Sequence, residues 1–276
     1  MIQFFRRVPV TALVGMFLTS VFVLAAIFAP WLAPYGRGEL VGNLWEPASA
    51  AHWLGTDNLG RDLLSRMIYG ARTTIAIASM ATLLAFTMGS MLGILAAVLG
   101  GWLDQVMSRG VDVVMSIPTL IFALVVLSVM PPTIPVLILV MGILDSTRVY
   151  RLSRAVAVDI NVQDFVEAAR LRGEKKAWII FREILPNALS PLVAEMGLRF
   201  IFAVLFLSSL SFLGLGVQPP EADWGSLVRE NRQGIAFGVP AALIPAAAIA
   251  MLAISVNLVA DWILKRTTDL KGGRSE

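Results

Sequence analysis

Long apolar runs alternate with short polar ones along nearly the whole chain. A helix of about 20 residues, rising about 1.5 Å each, crosses the roughly 30 Å of a bilayer's hydrocarbon. Val10–Ala29, Thr73–Leu99 and Phe237–Val259 reach that length. Val113–Met130 is slightly shorter and carries no charge, and Leu192–Val217 holds Glu195 and Arg199 within it. A sixth run, Ile134–Leu144, is followed closely by Asp145 and Arg148. Extended from about Pro132 to Tyr150, it makes a span whose polar end faces protein or water. The pattern predicts an all-α integral membrane protein with six transmembrane helices.

Two polar stretches break this rhythm with periodicities of their own. In "HWLGTDNLGRDLLSRMIYGAR", Thr56 or Asp57 can cap a helix in which Leu59, Leu63, Leu64, Met67, Ile68 and Ala71 share a stripe. Arg61, Asp62, Ser65, Arg66 and Arg72 take the other side, which predicts an amphipathic helix lying at the interface before the second span.

In "EAARLRGEKKAWIIFREILPNALSP", Asp164 can cap a short helix through Leu171, with Glu167 in the capping-box position. Phe165, Ala168 and Ala169 fall on one face, and the two alanines keep it flat. Gly173 suits the left-handed turn that ends a helix, with Arg170 and Arg172 near the helix's negative end. A second helix is expected from about Lys175 to Ile184, with Pro186 and Pro191 breaking the chain before the next span. Such a two-helix projection either rests on anionic lipid or docks its small-residue face into a groove on another protein.

Composition supports the membrane reading. At 57% hydrophobic, 15% charged and mean hydropathy +0.78, the chain is too apolar for a soluble domain. The N-terminal "MIQFFRRVPV" and the run after it mimic a signal peptide. That run has full-span length and reaches Trp31 without a usual cleavage site, which favours a retained anchor. With six spans, the N-terminus, Gly101–Asp112, Arg148–Ser190 and the C-terminal tail share one side. They hold two, one, eight and four Lys or Arg residues, against six on the opposite side. The bias puts both termini in the cytoplasm. Trp31, Trp102 and Trp262 fall at span ends, as interfacial anchors do.

Candidate chemistry is sparse. There is no cysteine, and the single histidine, His52, rules out an H-E-x-x-H zinc site. No G-x-x-x-x-G-K-[ST] stretch exists to cradle phosphates, so ATP hydrolysis is not expected on this chain. Aspartyl chemistry would need two close intramembrane aspartates, and Asp145 and Asp261 each lie near a span end. Glu195 and Arg199 stand at i, i+4 and can pair, as can Asp145 and Arg148 at i, i+3. Such charges either hold the structure together or line a path through it. An ATP-independent secondary transporter or channel is the alternative class. Met115, Met130 and Met141 read as packing filler. "GVQPPEADWGSLV", between the last two spans, either meets a binding protein or is a simple loop, with Trp224 set to sit at an interface.

Glu167-Ala168-Ala169, Gly173 four residues on, and Leu185-Pro186 beyond resemble the EAA motif of membrane subunits of binding-protein-dependent ABC importers. One position departs: Glu183 stands two before Leu185, where the pattern has an apolar residue. "ILPNALSPL", "HWLGTDNLGRDLLSRMIYGAR", "GGWLDQVMSRGVDVVMSIPTLIF" and "SFLGLGVQPPEADWGSLV" are similar, in order, to stretches of the C-type permease subunit in the dipeptide, oligopeptide and nickel branch. The resemblance implies a type I ABC importer-like permease fold. Residues 1–72 would hold the tail, first span and exported segment, and 73–265 the five-helix core with its coupling segment at 155–190. Residues 266–276 would form a cytoplasmic tail. It also implies that Glu167, Ala168, Ala169, Gly173, Leu185 and Pro186 make or shape the joint with an ATPase. Glu195, Arg199 and Asp145 remain pathway or structural residues. The implied partners are a second permease subunit, two cytoplasmic ATPases carrying ATP and magnesium, an extracytoplasmic solute-binding protein and membrane lipid. Nucleic acid is not among them, this chain would bind no cofactor, and a bacterial cytoplasmic membrane is the implied location.

Overall fold

The computed structural model describes residues 8–272, and every element of regular structure in that range is helical. In order these are α1 (Val10–Ile27), α2 (Ala29–Leu32), α3 (Leu63–Leu99), α4 (Gly101–Ser116), α5 (Thr119–Val129) and α6 (Ile134–Asn161). Then follow α7 (Asp164–Leu171), α8 (Lys176–Ile179), a π-turn (Ile180–Ile184), α9 (Leu185–Phe212), α10 (Trp224–Asn231) and α11 (Leu243–Gly272). Short 3₁₀ turns, Arg232–Phe237 and Pro240–Ala242, precede α11. The basic residues Arg6, Arg7 and Arg274, used above for sidedness, lie outside the described residues.

Among the described residues, four helical stretches are long and apolar enough to cross a membrane: Val10–Ile27, Leu63–Leu99, Lys176–Phe212 and Pro240–Leu264. Together α4 and α5 supply a fifth, bent by 84°. The bend falls inside the expected span Val113–Met130. Its cause is Pro118, which holds Ile117 in extended geometry (φ −92°, ψ 130°) and ends α4 there. The run at Ile134 is helical as expected but continues past Tyr150 to Asn161, carrying Asp145, Arg148, Arg151 and Arg154 within one element.

The expected break at Pro186 and Pro191 does not occur: the helical path is continuous from Lys176 to Phe212. The π-turn explains how. A prolyl ring clashes with the carbonyl four residues back in a regular α-helix, and the wider i→i+5 turn just before Pro186 relieves that crowding.

The described residues fall into two compact units. The first takes its part from Met1–Ser79, Leu124–Leu137 and Phe200–Val259; the second comprises Met80–Ala123, Ile138–Arg199 and the described part of Ala260–Glu276. Within the first, α1 is tied to α11 by Thr19 Oγ1 donating to Ser255 Oγ at 3.1 Å. Within the second, α3 and α6 touch backbone to backbone. A Cβ on Gly89 would lie 2.6 Å from Ser146 O, and one on Gly93 2.6 Å from Tyr150 O. Only glycine permits that approach, and Ser153 Oγ uses it to donate to Gly89 O at 3.1 Å. Two apolar clusters fill the second unit. One joins Ile94, Ala157, Val166, Ala169, Ile179 and Ile184; the other joins Ala85, Phe86, Val149, Ala188 and Leu192.

Candidate functional site

The α7–α8 segment is seated by its apolar positions and closed by its turn. Gln163, not Asp164, is the N-cap of α7, and no side chain caps it; Asp164 is the first helical residue. Asp164 and Glu167 still place two acidic groups in the first turn, where the helix dipole favours them. At the other end the geometry follows the motif as expected. Gly173 adopts φ +82°, its N–H donates to Arg170 O (2.9 Å), and Glu174 N donates to Ala169 O (3.2 Å). These two bonds make a Schellman turn. No atom stands where a Cβ on Gly173 would go, so backbone conformation alone demands glycine here.

The two alanines part company. Ala169 is fully buried beside Val166 in the cluster with Ile94, Ala157, Ile179 and Ile184, whereas Glu167, Ala168 and Phe165 are exposed. Ala169 therefore belongs to the seat and Ala168 to the outward face. A sequence period of i, i+3, i+4 groups Phe165, Ala168 and Ala169; it does not say which edge of that stripe the rest of the chain covers. Arg170 Nη2 donates to Asn161 Oδ1 (2.6 Å), and Arg172 lies 5.9 Å above the Trp178 ring and 3.9 Å from Glu183. Leu185 is half-buried and Pro186 exposed where the π-turn meets α9.

Glu195, Arg199 and Asp145 come together in the second unit. Arg199 donates to Glu195 Oε1 through Nε (3.0 Å) and Nη2 (2.7 Å), and its Nη1 lies 3.6 Å from Asp145 Oδ1. Arg148 Nη1 approaches the same Asp145 oxygen at 3.8 Å. The two pairs expected separately are thus one network linking α6 to α9. Two further ion pairs tie α4 to α6: Arg154 to Asp104 (2.5 Å) and Arg151 to Asp112 (2.5 Å).

The stretch read as an interfacial amphipathic helix is different in kind. Residues 56–62 form turns and isolated bridges, and helix begins only at Leu63, as the start of the second span. Of the residues read as that helix's polar side, Arg61, Asp62, Ser65 and Arg66 are buried and Arg72 is exposed. Arg61 binds Asp57 Oδ2 (2.6 Å) and Glu230 Oε2 (2.7 Å), and Arg66 binds Glu230 Oε2 (2.9 Å) and approaches Asp57 at 3.5 Å. Asn231 accepts from Trp45 Nε1 (3.3 Å) and from Asn58 N (3.0 Å). His52 pairs with Asp62 at 3.1 Å, and Asp62 also accepts from Ser65 N and Oγ.

Trp224 is not interfacial. It is 1% exposed, its indole donates to Met67 O (3.0 Å), and Phe22 meets it edge-on at 5.4 Å. Asp223 caps α10 by accepting from Gly225 N and Ser226 N, with Ser226 Oγ completing a capping box. Burial pushes the Asp223 carboxyl up to about 6 despite hydrogen bonds from Ser211 and Ser226 that oppose the rise. Glu46 goes the other way, held below its usual value by hydrogen bonds from Asn43 backbone and side chain. Arg37 pairs with Glu221 across the same region. The sequence signal for this clasp was the spacing Asp57-x3-Arg61-x4-Arg66 against a distant Glu230. Periodicity alone cannot tell a solvated polar face from one buried against partners.

The described residues thus form an all-α, multi-pass chain with a glycine-closed helical connection between long apolar helices. Residues 89–269 match the model of the binding-protein-dependent transport system inner membrane component, and residues 4–41 match the N-terminal TM domain of oligopeptide transport permease C. The chain belongs to this family of inner-membrane components and serves as the membrane component of an ABC importer. It is 33% identical, over 91% of its length and 83% of the relative's, to a dipeptide transport system permease protein, DppC, of Alkalihalophilus pseudofirmus. It is 34% identical to the probable D,D-dipeptide transport system permease protein DdpC of Escherichia coli, covering 91% and 85% of the two chains. With the glutathione transport system permease protein GsiD of Pectobacterium atrosepticum it shares 32% identity over 94% and 86%.

Proposed function

We propose that this chain forms half of the translocation pathway of an importer for short peptides or related small solutes, and that α7–α8 is its coupling joint to a cytoplasmic ATPase. It crosses a bacterial cytoplasmic membrane six times, counting the bent α4–α5 pair and α6, with both termini inside. A second permease subunit, two ATPases holding ATP and magnesium, and an extracytoplasmic solute-binding protein complete the assembly. The peptide class rests on what the relatives are named for.

The observation that carries the coupling role is the split of α7. Val166 and Ala169 are anchored in the chain's own core, while Glu167 and Ala168 stay exposed on a helix whose end is fixed by Gly173. A rigid seat beneath a small-residue face transmits motion, because a packed core moves as a body instead of yielding. Glu195, Arg199 and Asp145 tie the two helices that flank this joint, and their role is to hold α6 and α9 together as the joint moves.

Affinity purification of the intact assembly in mild detergent tests the reading. The wild-type chain should bring down a sister permease and ATPases. Ala168→Arg should lose the ATPases and keep the sister permease, whereas Ala168→Ser should keep both. Undiminished ATPase recovery with Ala168→Arg would remove α7 from the joint.

A further inference from the structure

Beside the α7–α8 segment the second unit carries a groove of about 520 Å³, within the roughly 300–1,000 Å³ usual for ligand sites. Leu83, Met91 and Leu95 of α3 form one wall; Phe181 of the π-turn with Leu189 and Val193 of α9 form the other. All six are exposed apolar side chains. The polar residues on the lining are Thr87 and Ser90, and the Thr87 hydroxyl donates to Leu83 O and Leu84 O of its own helix. An extended peptide would leave its backbone N–H and C=O groups unmatched against such walls, which is costly. A hydrocarbon chain loses nothing there.

The charges at the groove's end select among hydrocarbon-bearing partners. Ala177, Ile180 and Phe181 line the groove where the π-turn closes it. Helical spacing puts Lys176 on one side of that stripe and Arg182 on the other, and both are exposed, as is Lys175. Long basic side chains can run their methylenes along apolar surface and bring their heads to a phosphate. An apolar trough ended by two flanking cations matches a phospholipid with a negative head group, not a neutral one.

We infer that the groove between α3 and α9 holds an anionic phospholipid, its acyl chain against Leu83, Met91, Leu189 and Val193 and its phosphate between Lys176 and Arg182. That the lipid comes from the cytoplasmic leaflet rests on the orientation proposed above. The site gives the membrane a hold on the same π-turn that joins α8 to α9. Lipid composition then bears on the posture of α7–α8.

The test uses the intact purified assembly, equilibrated with vesicles of equal phosphatidylglycerol and phosphatidylcholine and analysed by native mass spectrometry. Wild type should retain phosphatidylglycerol in preference. Lys176→Gln with Arg182→Gln should lower that preference by about fivefold per charge removed, with melting behaviour unchanged because both side chains are exposed. Leu189→Trp, which fills the trough, should lower retention of both lipids. Equal retention of the two lipids by wild type, or a preference untouched by the double variant, would overturn the site. So would a photoreactive side chain at Leu189 that captures another protein's helix in place of lipid. ATPase recovery is scored in the same samples. A wild type that prefers phosphatidylglycerol but brings down no ATPase would sink the coupling role alone, and one that brings down ATPases without a lipid preference would sink the lipid site alone.

Discussion

Arg66 and Arg182 both stand on helical backbone beside apolar walls, and the chain treats them in opposite ways. Arg66 is 2% exposed and shares Glu230 with Arg61, over Asp57, in a closed clasp that joins the start of α3 to α10. Arg182 is exposed, next in the chain to the groove-lining Phe181, in a segment where the Arg172 to Glu183 ion pair is stretched to 3.9 Å. In the clasp, buried charge pairs join apolar contacts, such as Trp224 and Leu227 against Gly70, in fixing the backbone. In α7–α8, backbone is fixed by Val166, Ala169, Ile179 and Ile184, and charge is left on the outside for other molecules. A region that must hold a shape buries its charges in pairs; one that must meet partners spends apolar contacts inward and shows its charges outward.

Glu230→Ala should separate the two regimes most sharply. It removes the carboxylate that Arg66 hydrogen-bonds and leaves Asp57 to serve both guanidiniums, and breaking a buried pair by removing one partner costs up to about 3–5 kcal/mol. The expected outcome is a large fall in melting temperature of the detergent-solubilised protein. An unchanged melting curve would mean that the clasp is ornament and that burial of Arg66 has another cause.

The sequence revealed these regions unequally, for reasons that particular residues make plain. Gly173 was legible because a positive φ is a local demand that one residue answers. The long apolar spans were legible because bilayer thickness sets their length. The clasp was not, since Arg61 and Arg66 lie in a stripe that looks the same in water as against Glu230, more than 160 positions away. The continuous path through Pro186 was missed because the π-turn that admits it has no residue signature. Ala169 was assigned outward beside Ala168 because periodicity defines a face without saying what covers it. Asp145, Glu195 and Arg199 were found as pairs, and only the packing of α6 on α9 made them one network.

Asp223 sharpens the comparison by titration, with an intermediate effect. Its value of about 6 in the fold exceeds the ordinary aspartate value, near 4, expected of the unfolded chain. The unfolded chain therefore loses the proton first as pH rises. Stability from this group is highest below about 4, falls between about 4 and 6, and is flat above, a change of about 3 kcal/mol at most. Other carboxylates, such as Glu46, act in the opposite sense at low pH, so the measurement is the difference between wild type and Asp223→Asn. Asparagine keeps a capping oxygen and does not titrate. The wild type should gain on the variant as pH drops from 7 to 5, and parallel curves would show that Asp223 is not held in a desolvated cap.

Glu183→Ala is the counterpart of Glu230→Ala and should do least. Glu230→Ala takes a glutamate from two buried arginines and Glu183→Ala from one exposed one, and a pair in water at this separation is worth about 1 kcal/mol before entropy is charged against it. The Arg172 side chain is more than half exposed, so solvent screens what remains. Arg172 also keeps its place over the Trp178 ring without Glu183. The expected change in stability is under about 0.5 kcal/mol, read as a melting temperature within error of wild type. If Glu183→Ala proved as costly as Glu230→Ala, the α7–α8 segment would be held by its charges after all. Its seat in the apolar cluster around Ala169 would then be too weak to transmit force, and the distinction between a clasp that holds and a face that meets partners would fail at its simpler end.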